Sequence, residues 1–128
     1  CFICSREFLR RIKTQGAIVN VSSGASQTGS PFEYVDYAAS KGAMDTLTKG
    51  LSLEVASKGI RVNAVRPGFI YTDMHADGGE PGRVDRLAPQ IPMQRGGTPT
   101  EVANAIAWLL SDAASFVTGS FIDVAGGK

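Results

Sequence analysis

Apolar residues recur at helical spacing in three stretches of the chain. These stretches span residues 1–13, residues 37–57 and the residues that lead up to Leu110. Polar and charged side chains fill the positions between them, so each stretch is predicted to form a helix. Gly16 is expected to stop the first helix, and either Thr98 or Thr100 is expected to cap the N-terminus of the third.

Three shorter runs are apolar and almost uncharged, as expected of strands that are buried on both faces of a sheet. They are Ala17–Val21, Ile60–Val65 and Ser120–Val124. Helices and strands alternate along the chain, and strands joined by helices form right-handed βαβ units on a parallel sheet. The sequence therefore predicts an α/β fold with a parallel sheet of about three strands.

A sheet of three strands is thin for this fold class. Its first strand would expose an apolar edge, and so few helices are not expected to cover that strand on both faces. The chain also opens without an initiator Met and without an N-cap residue for its first helix. We therefore expect residues 1–128 to form the C-terminal portion of one domain whose N-terminal half is absent.

Two segments rich in glycine, serine or proline follow the first two strands. Residues 22–31 are predicted to form a loop at the carboxyl end of the first strand. Residues 69–97 carry only a weak helical pattern, near Arg83–Leu87. A loop of that length in a compact domain usually serves as a lid or a binding loop, and we expect that role here.

Composition narrows the class of protein. The 13 basic and 12 acidic side chains give a formal net charge of +1, too weak a field to attract nucleic acid or an anionic membrane. No apolar run approaches the roughly 20 residues that a membrane-spanning helix needs. Since Cys1 is not followed by a signal-peptide pattern, a soluble cytoplasmic protein is expected.

The two cysteines, Cys1 and Cys4, form a CxxC pattern. A structural zinc site would need further ligands, but there is no second cysteine pair, and the only histidine, His75, lies far along the chain. We expect both cysteines to be ordinary small residues on a helix, and no metal site is predicted.

Tyr37 and Lys41 stand four residues apart at the start of the second predicted helix, so their side chains share a face. A tyrosine with an ordinary pKa near about 10 exchanges protons poorly at neutral pH unless a cation stabilises its phenolate. Lys41 supplies such a cation. Tyr34 lacks one, because the residue four positions after it is Ala38.

Ser22 and Ser23 follow the first predicted strand, where open α/β sheets bind their ligands. A hydroxyl at this place can donate a hydrogen bond that fixes and polarises a substrate oxygen. The separation from Tyr37 is 14 residues for Ser23 and 15 for Ser22. Both serines are candidates for the donor to the substrate oxygen.

The whole sequence resembles the short-chain dehydrogenase/reductase family, most closely the bacterial members labelled glucose-dehydrogenase-like or 3-oxoacyl-reductase-like. The matching strings are GAIVNVSS (16–23), YAASKGA (37–43), GIRVNAVRPGFIYT (59–72) and VTGSFIDVAGG (117–127). The resemblance implies a Rossmann-like fold and an enzyme that interconverts a secondary alcohol and a ketone with NAD or NADP.

Site residues follow from the same resemblance. Tyr37 resembles the general acid and base, and Lys41 resembles the residue that supports it and bonds the nicotinamide ribose. Ser23, the second serine after the strand, resembles the donor to the substrate oxygen and is preferred over Ser22.

A second segment resembles the part of the family pattern that holds the nicotinamide carboxamide. It contains Pro67, Gly68, Ile70 and Thr72. The resemblance implies that the backbone near Ile70 and the hydroxyl of Thr72 contact the carboxamide. Gly68 is expected to let the main chain approach the cofactor without a Cβ in the way.

Further residues are expected to lie near the site or to pack around it. Asn20 and Asn63 are expected to bond loop backbone near the site. Phe69, Met74 and Met93 are candidates either for the substrate pocket or for core and lid packing. Neither Arg66 nor His75 is assigned a role.

The family's glycine-rich turn for the cofactor pyrophosphate has no counterpart in this sequence. Relatives of this family assemble through helices equivalent to the first two predicted here, so the resemblance implies a homo-oligomer, a dimer or a tetramer. An alternative function is that of an assembly or binding piece without activity of its own.

Overall fold

The computed structural model describes residues 1–128. Its helices are α1 (Phe2–Arg11), α2 (Ala25–Thr28), α3 (Val35–Val55), α4 (Met74–Asp77), α5 (Arg83–Leu87) and α6 (Pro99–Leu110), and its strands are β1 (Gly16–Val21), β2 (Ile60–Pro67) and β3 (Phe121–Val124). Short 3₁₀ turns lie at Ala56–Lys58, Ala88–Gln90 and Asp112–Ala114. The three long helices and three strands predicted from the sequence are confirmed, with ends shifted by a few residues.

The three strands form one parallel sheet in the order β1-β2-β3. Gly16 pairs with Ile60 at the start of the first strand pair, and Val21 pairs with Val65 at its end. All three strands therefore point the same way, and their carboxyl ends meet at one edge of the sheet. The predicted α/β class with a Rossmann-like parallel sheet is confirmed.

Side chains that alternate along the strands divide the apolar core into two clusters. Ile18, Ile60 and Val62 pack with residues of α1 and α3 on one face. Val19 and Val65 pack with α6 on the other face. Helices therefore lie on each face of the sheet, but most of β1 is only half-buried and Val21 is exposed, as expected for a first strand that few helices cover.

The connection between α1 and β1 differs from the prediction. Helix α1 ends at Arg11, and Ile12 is already extended, so Gly16 does not stop the helix. Gly16 instead begins β1, where an added Cβ would lie 2.3 Å from Ile12 Cδ1. The glycine therefore allows α1 to approach the strand closely. By contrast, Gly59 ends the turn after α3 in the left-handed conformation, which is typical of a glycine that stops a helix.

Thr98, not Thr100, caps α6. Its hydroxyl accepts a hydrogen bond from the Glu101 amide at 3.3 Å, and the Glu101 carboxylate accepts one from the Thr98 amide at 2.7 Å. This reciprocal pair is a capping box. Hydrogen bonds from Arg95 and from the Thr98 backbone lower the pKa of the Glu101 carboxyl to about 2, so the carboxylate of the cap stays charged far into the acidic range.

Both predicted loops contain short helices. Residues 22–31 include α2, and residues 69–97 include α4 in addition to the helical piece expected at Arg83–Leu87. None of the helices combines the length and the apolar character that a membrane span requires.

Two buried asparagines connect elements of the core. Asn63 donates to the Val117 carbonyl at 2.9 Å and accepts from the Ser120 amide at 3.0 Å, so it bonds loop backbone as expected. Asn20 instead donates to the Thr48 hydroxyl at 2.8 Å, which ties β1 to α3.

Candidate active site

The carboxyl edge of the sheet brings together three segments that the sequence singled out. Ser22 and Ser23 directly follow β1, and Pro67 ends the neighbouring strand. The Gly24 amide donates to the Pro67 carbonyl at 3.1 Å, so the turn after β1 lies against the end of β2. Tyr37 and Lys41 occupy the first two turns of α3, which packs over β2.

Lys41 connects Tyr37 with the end of β1. Its Nζ lies 5.5 Å from the centroid of the Tyr37 ring and donates a hydrogen bond to the Val21 carbonyl at 2.8 Å. No carboxylate lies within ion-pair distance of this ammonium. An ammonium has three donors, so two N–H groups of Lys41 stay available to a ligand.

The two candidate serines differ in exposure and in hydrogen bonding. Ser22 is only 2 % exposed, and its hydroxyl is directed to the Lys41 carbonyl at 3.4 Å. Ser23 is half-buried, and its Oγ accepts a hydrogen bond from the Ala25 amide at 3.2 Å. Because that contact uses a lone pair, the hydroxyl proton of Ser23 remains free for an external acceptor.

The segment after β2 places a free donor beside this edge. Ile70 is buried and forms an isolated parallel bridge with Gly97. Its carbonyl accepts from His75 Nε2 at 3.1 Å, whereas its amide N–H has no acceptor within the chain. Thr72 is exposed, and its hydroxyl makes no hydrogen bond to the protein.

Gly68 is constrained by packing within the protein. An added Cβ would lie 2.9 Å from both the Cα and the Cβ of Ala125, directly after β3. Packing against Ala125 therefore gives a reason for glycine at this position that the sequence did not indicate, and the predicted approach of the main chain to a cofactor stays a prediction. The Gly68 amide also donates to the Val124 carbonyl at 3.0 Å, which fixes this turn.

Arg66, to which the sequence assigned no role, forms a half-buried ion pair with Asp45 of α3. Its Nε and one terminal nitrogen each lie 2.9 Å from Asp45 Oδ2. The same carboxylate oxygen lies 2.6 Å from the Ser26 hydroxyl of α2. Burial by itself raises the pKa of Asp45, but the neighbouring side chains of Ser22, Ser26 and Arg66 outweigh it and lower this pKa below its ordinary value.

The segment between β2 and α6 is fastened over Tyr34 by Arg83. This guanidinium pairs with Glu33 at 2.5 Å and with Glu80 at 2.8 Å. It also lies 5.5 Å from the centroid of the Tyr34 ring and 5.7 Å from that of Phe69. The segment therefore borders the loop that precedes Tyr37. It is the same segment, residues 69–97, for which a lid or binding loop is predicted.

Phe69, Met74 and Met93, the candidates for either the substrate pocket or core and lid packing, have different surroundings. Phe69 lies between Arg83 and Lys128, whose Nζ is 4.8 Å from its ring centroid. Met74 and Met93 are each 61 % exposed, so neither is a core residue.

Cys1 and Cys4 are exposed free thiols; Cys4 lies on α1, whereas Cys1 directly precedes it, with its Sγ 3.2 Å from Asn20 Oδ1. No three His, Cys, Asp or Glu side chains are grouped closely enough to hold a metal ion.

Known proteins resemble this chain both in sequence and in fold. The family model described as "Enoyl-(Acyl carrier protein) reductase" matches residues 1–128. The uncharacterized oxidoreductase YgfF of Escherichia coli K12 is 72% identical over 132 residues, which cover 99% of this chain and 53% of YgfF. The chain thus spans about half the length of the curated relatives it matches.

Solved structures agree with the sequence comparison. The short-chain dehydrogenase/reductase described as a glucose/ribitol dehydrogenase from Brucella melitensis superimposes with a TM-score of 0.89 at 42% identity. The 4-hydroxyisoleucine dehydrogenase complexed with NADH gives 0.88 at 33% identity. These matches cover 98% of this chain and 50% and 53% of those proteins.

The parallel sheet with helices on each face defines a Rossmann-like α/β protein. The chain belongs to the short-chain dehydrogenase/reductase family.

Proposed function

We propose that the protein is an NAD(P)-dependent oxidoreductase that interconverts a secondary alcohol and a ketone. The observation that carries this proposal is the Tyr37–Lys41 pair, anchored on the carboxyl end of β1 next to a serine hydroxyl with a free proton. The NADH-bound 4-hydroxyisoleucine dehydrogenase, which has the same fold, supports it.

The residues at this edge fit the nicotinamide half of NAD or NADP. Lys41 offers two free N–H donors to ribose hydroxyls, and the amide N–H of Ile70 has no acceptor within the chain. A carboxamide oxygen is a suitable acceptor for that N–H. The Thr72 hydroxyl and the backbone of Pro67 and Gly68 complete the proposed contacts.

The chemistry assigns one task to each side chain. When bound, the nicotinamide supplies the hydride that reduces the carbonyl carbon of the substrate. Ser23 donates a hydrogen bond that holds and polarises the carbonyl oxygen, and the Tyr37 hydroxyl transfers its proton to that oxygen. Lys41, held in place by the Val21 carbonyl, stabilises the phenolate that Tyr37 becomes, and the reverse reaction returns the proton.

The 128 residues are proposed to be the C-terminal, catalytic portion of one Rossmann-type domain. The sequence contains no glycine-rich turn for a pyrophosphate, and no residue here distinguishes NAD from NADP. We expect NADH or NADPH, titrated by fluorescence, to bind a version extended at the N-terminus to the length of the relatives but not the 128-residue chain alone. Tight binding by the short chain would contradict this assignment and would favour a site made of these residues only.

A homo-oligomer is proposed as the working form. Large apolar side chains are exposed on α1, on α3 and around the end of α6; they include Phe2, Ile3, Val35, Leu53, Trp108, Leu110 and Phe116. Contiguous exposed apolar surface marks contacts between proteins, and these side chains are proposed to supply it. The alternative function, that of an assembly or binding piece without activity of its own, would use the same exposed apolar side chains.

Ser23 and Ser22 provide a matched pair of variants for the proposed site. Ser23→Ala is expected to lower kcat for NAD(P)H-dependent ketone reduction by roughly 100-fold, because a donor to the developing charge is lost. Ser22→Ala removes an equal hydroxyl that faces the protein interior and is expected to retain more of the activity. Steady-state kinetics of the full-length protein with a panel of ketones measures both. The reverse ranking would move the substrate donor to Ser22.

A further inference from the structure

A chain of polar contacts runs from the centre of the sheet to the backbone of Ser23. Arg66 leaves β2 on the face covered by α3 and binds Asp45 Oδ2 through two nitrogens. Asp45 Oδ2 in turn lies 2.6 Å from the Ser26 hydroxyl, and this hydroxyl lies 2.8 Å from the Ser23 carbonyl oxygen. These contacts join β2, α3 and α2 behind the serine that faces the proposed substrate.

Asp45 also shares a helix face with the proposed catalytic pair. Tyr37, Lys41 and Asp45 follow one another at intervals of four residues on α3, so their side chains align along one side of the helix. The side chains of Arg66 and Asp45 are only 15% and 14% exposed, so solvent weakens their attraction less than it would on the surface. The contact therefore fixes α3 against β2 two turns beyond Tyr37.

Arg66 is itself held in place by β3. Its guanidinium lies 4.1 Å from the centroid of the Phe121 ring, and a terminal nitrogen lies 3.8 Å from Asp123. A planar guanidinium can stack on an aromatic ring and bind a carboxylate at the same time, which an ammonium group does less well. The geometry therefore calls for arginine at this position.

The single proton of the Ser26 hydroxyl has two acceptors within reach. An ionised carboxylate is the stronger acceptor, so the proton goes to Asp45, and the Ser23 carbonyl accepts the Ser26 amide N–H at 3.1 Å. If the charge on Asp45 is removed, the hydroxyl can turn to the Ser23 carbonyl, and α2 loses this polar contact with α3. The turn that carries Ser23 would then depend on its bonds to β2, from the Ser22 amide to the Val65 carbonyl and from the Gly24 amide to the Pro67 carbonyl, and on the bond from the Ser22 hydroxyl to the Lys41 carbonyl.

We propose that Asp45 and Arg66 are positioning residues, which through Ser26 hold the turn that carries the Ser23 hydroxyl against the helix that carries Tyr37. This role rests on the proposed oxidoreductase function, because Ser23 is the residue whose position matters. A misplacement of about 1 Å at a reacting group can cost up to roughly 100-fold in rate. Neither residue touches substrate or cofactor in this proposal.

The kinetic test is a double-mutant cycle in the full-length protein. Asp45→Asn is expected to lower kcat for ketone reduction roughly tenfold while leaving the KM for NAD(P)H unchanged. In a Ser23→Ala background the same substitution is expected to have no further effect on kcat, because its influence passes through Ser23. Effects that multiply in the double variant would assign Asp45 a general structural role and overturn the proposal.

Asp36→Asn is the matched control, because Asp36 is an exposed acidic residue in the first turn of the same helix. Its kcat is expected to equal that of the unsubstituted protein. Arg66→Lys keeps the charge but loses the fork that binds Asp45, so it is expected to resemble Asp45→Asn. Full activity of Arg66→Lys would contradict the need for the guanidinium.

Hydrogen exchange tests the proposal without any substrate. The Asp45→Asn substitution is expected to speed amide exchange at residues 25–28 roughly tenfold and to leave β1 unchanged. Unchanged exchange at residues 25–28 would overturn the positioning role even if the protein proved not to be an oxidoreductase. The proposed function itself is tested separately, by the loss of turnover in Tyr37→Phe. A failure of the positioning role can therefore be distinguished from a failure of the proposed function.

Discussion

Tyr37→Phe is expected to reduce NAD(P)H-dependent ketone reduction by the full-length protein roughly 10²- to 10⁴-fold, the usual contribution of a positioned acid–base group. The substitution removes only the hydroxyl, so the ring beside Lys41 and the packing at the start of α3 are kept. Steady-state kinetics measures the loss, and cofactor binding is expected to persist. Turnover at the original rate would contradict the proton-transfer role.

Tyr34→Phe is the control for this prediction. Tyr34 lies one helical turn earlier, is exposed, and has no lysine four residues after it. Its ring contact with Arg83 survives the loss of the hydroxyl. We expect activity close to that of the unsubstituted protein, so a large loss in Tyr34→Phe would show that the assay reports the integrity of this loop.

Leu109→Ala is expected to lower the free energy of unfolding of the full-length protein by about 2–5 kcal/mol, because it removes most of a fully buried side chain and leaves a cavity. Leu109 belongs to the cluster with Val65, Ile70 and Val102, which joins α6 to the end of β2. Denaturant unfolding followed by circular dichroism measures the change. Since Ile70 lies in the proposed cofactor segment, weaker cofactor binding is expected as well.

The neighbouring leucine gives a matched control on the same helix. Leu110 is 49% exposed, so Leu110→Ala changes the same atoms with little loss of buried contact. Its effect on the free energy of unfolding is expected to stay within about 1 kcal/mol. Equal losses for the two variants would contradict the described orientation of α6.

The order of elements could be predicted because long helices and buried strands leave periodic patterns. Four-residue helices such as α2 and α4 leave none, so both were missed inside predicted loops. Gly16 was misassigned because a glycine after a helix resembles a stop signal. Its actual constraint, the approach of Ile12 to β1, depends on tertiary packing.

The candidate site could be located for a topological reason. Parallel strands end at one edge, so residues directly after β1 and β2 must lie near each other, and the Tyr37–Lys41 spacing fixes a shared helix face. The pairing of Asp45 with Arg66 could not be found in this way, because it depends on where α3 crosses β2. The one available signal was that Arg66, a charged residue, directly follows a predicted buried strand. The constraint on Gly68 could not be predicted either, because the residue packed against it, Ala125, lies 57 residues further along the chain.

The central claim, hydride transfer assisted by Tyr37, is tested most directly with NADH or NADPH that carries deuterium at the transferable position. The full-length protein is incubated with a panel of ketones, and mass spectrometry locates the deuterium in the products. We predict deuterium on the carbinol carbon of an alcohol formed by the unsubstituted protein, and almost none with Tyr37→Phe. An absence of labelled alcohol with either cofactor, or equal labelling by Tyr37→Phe, would contradict the account.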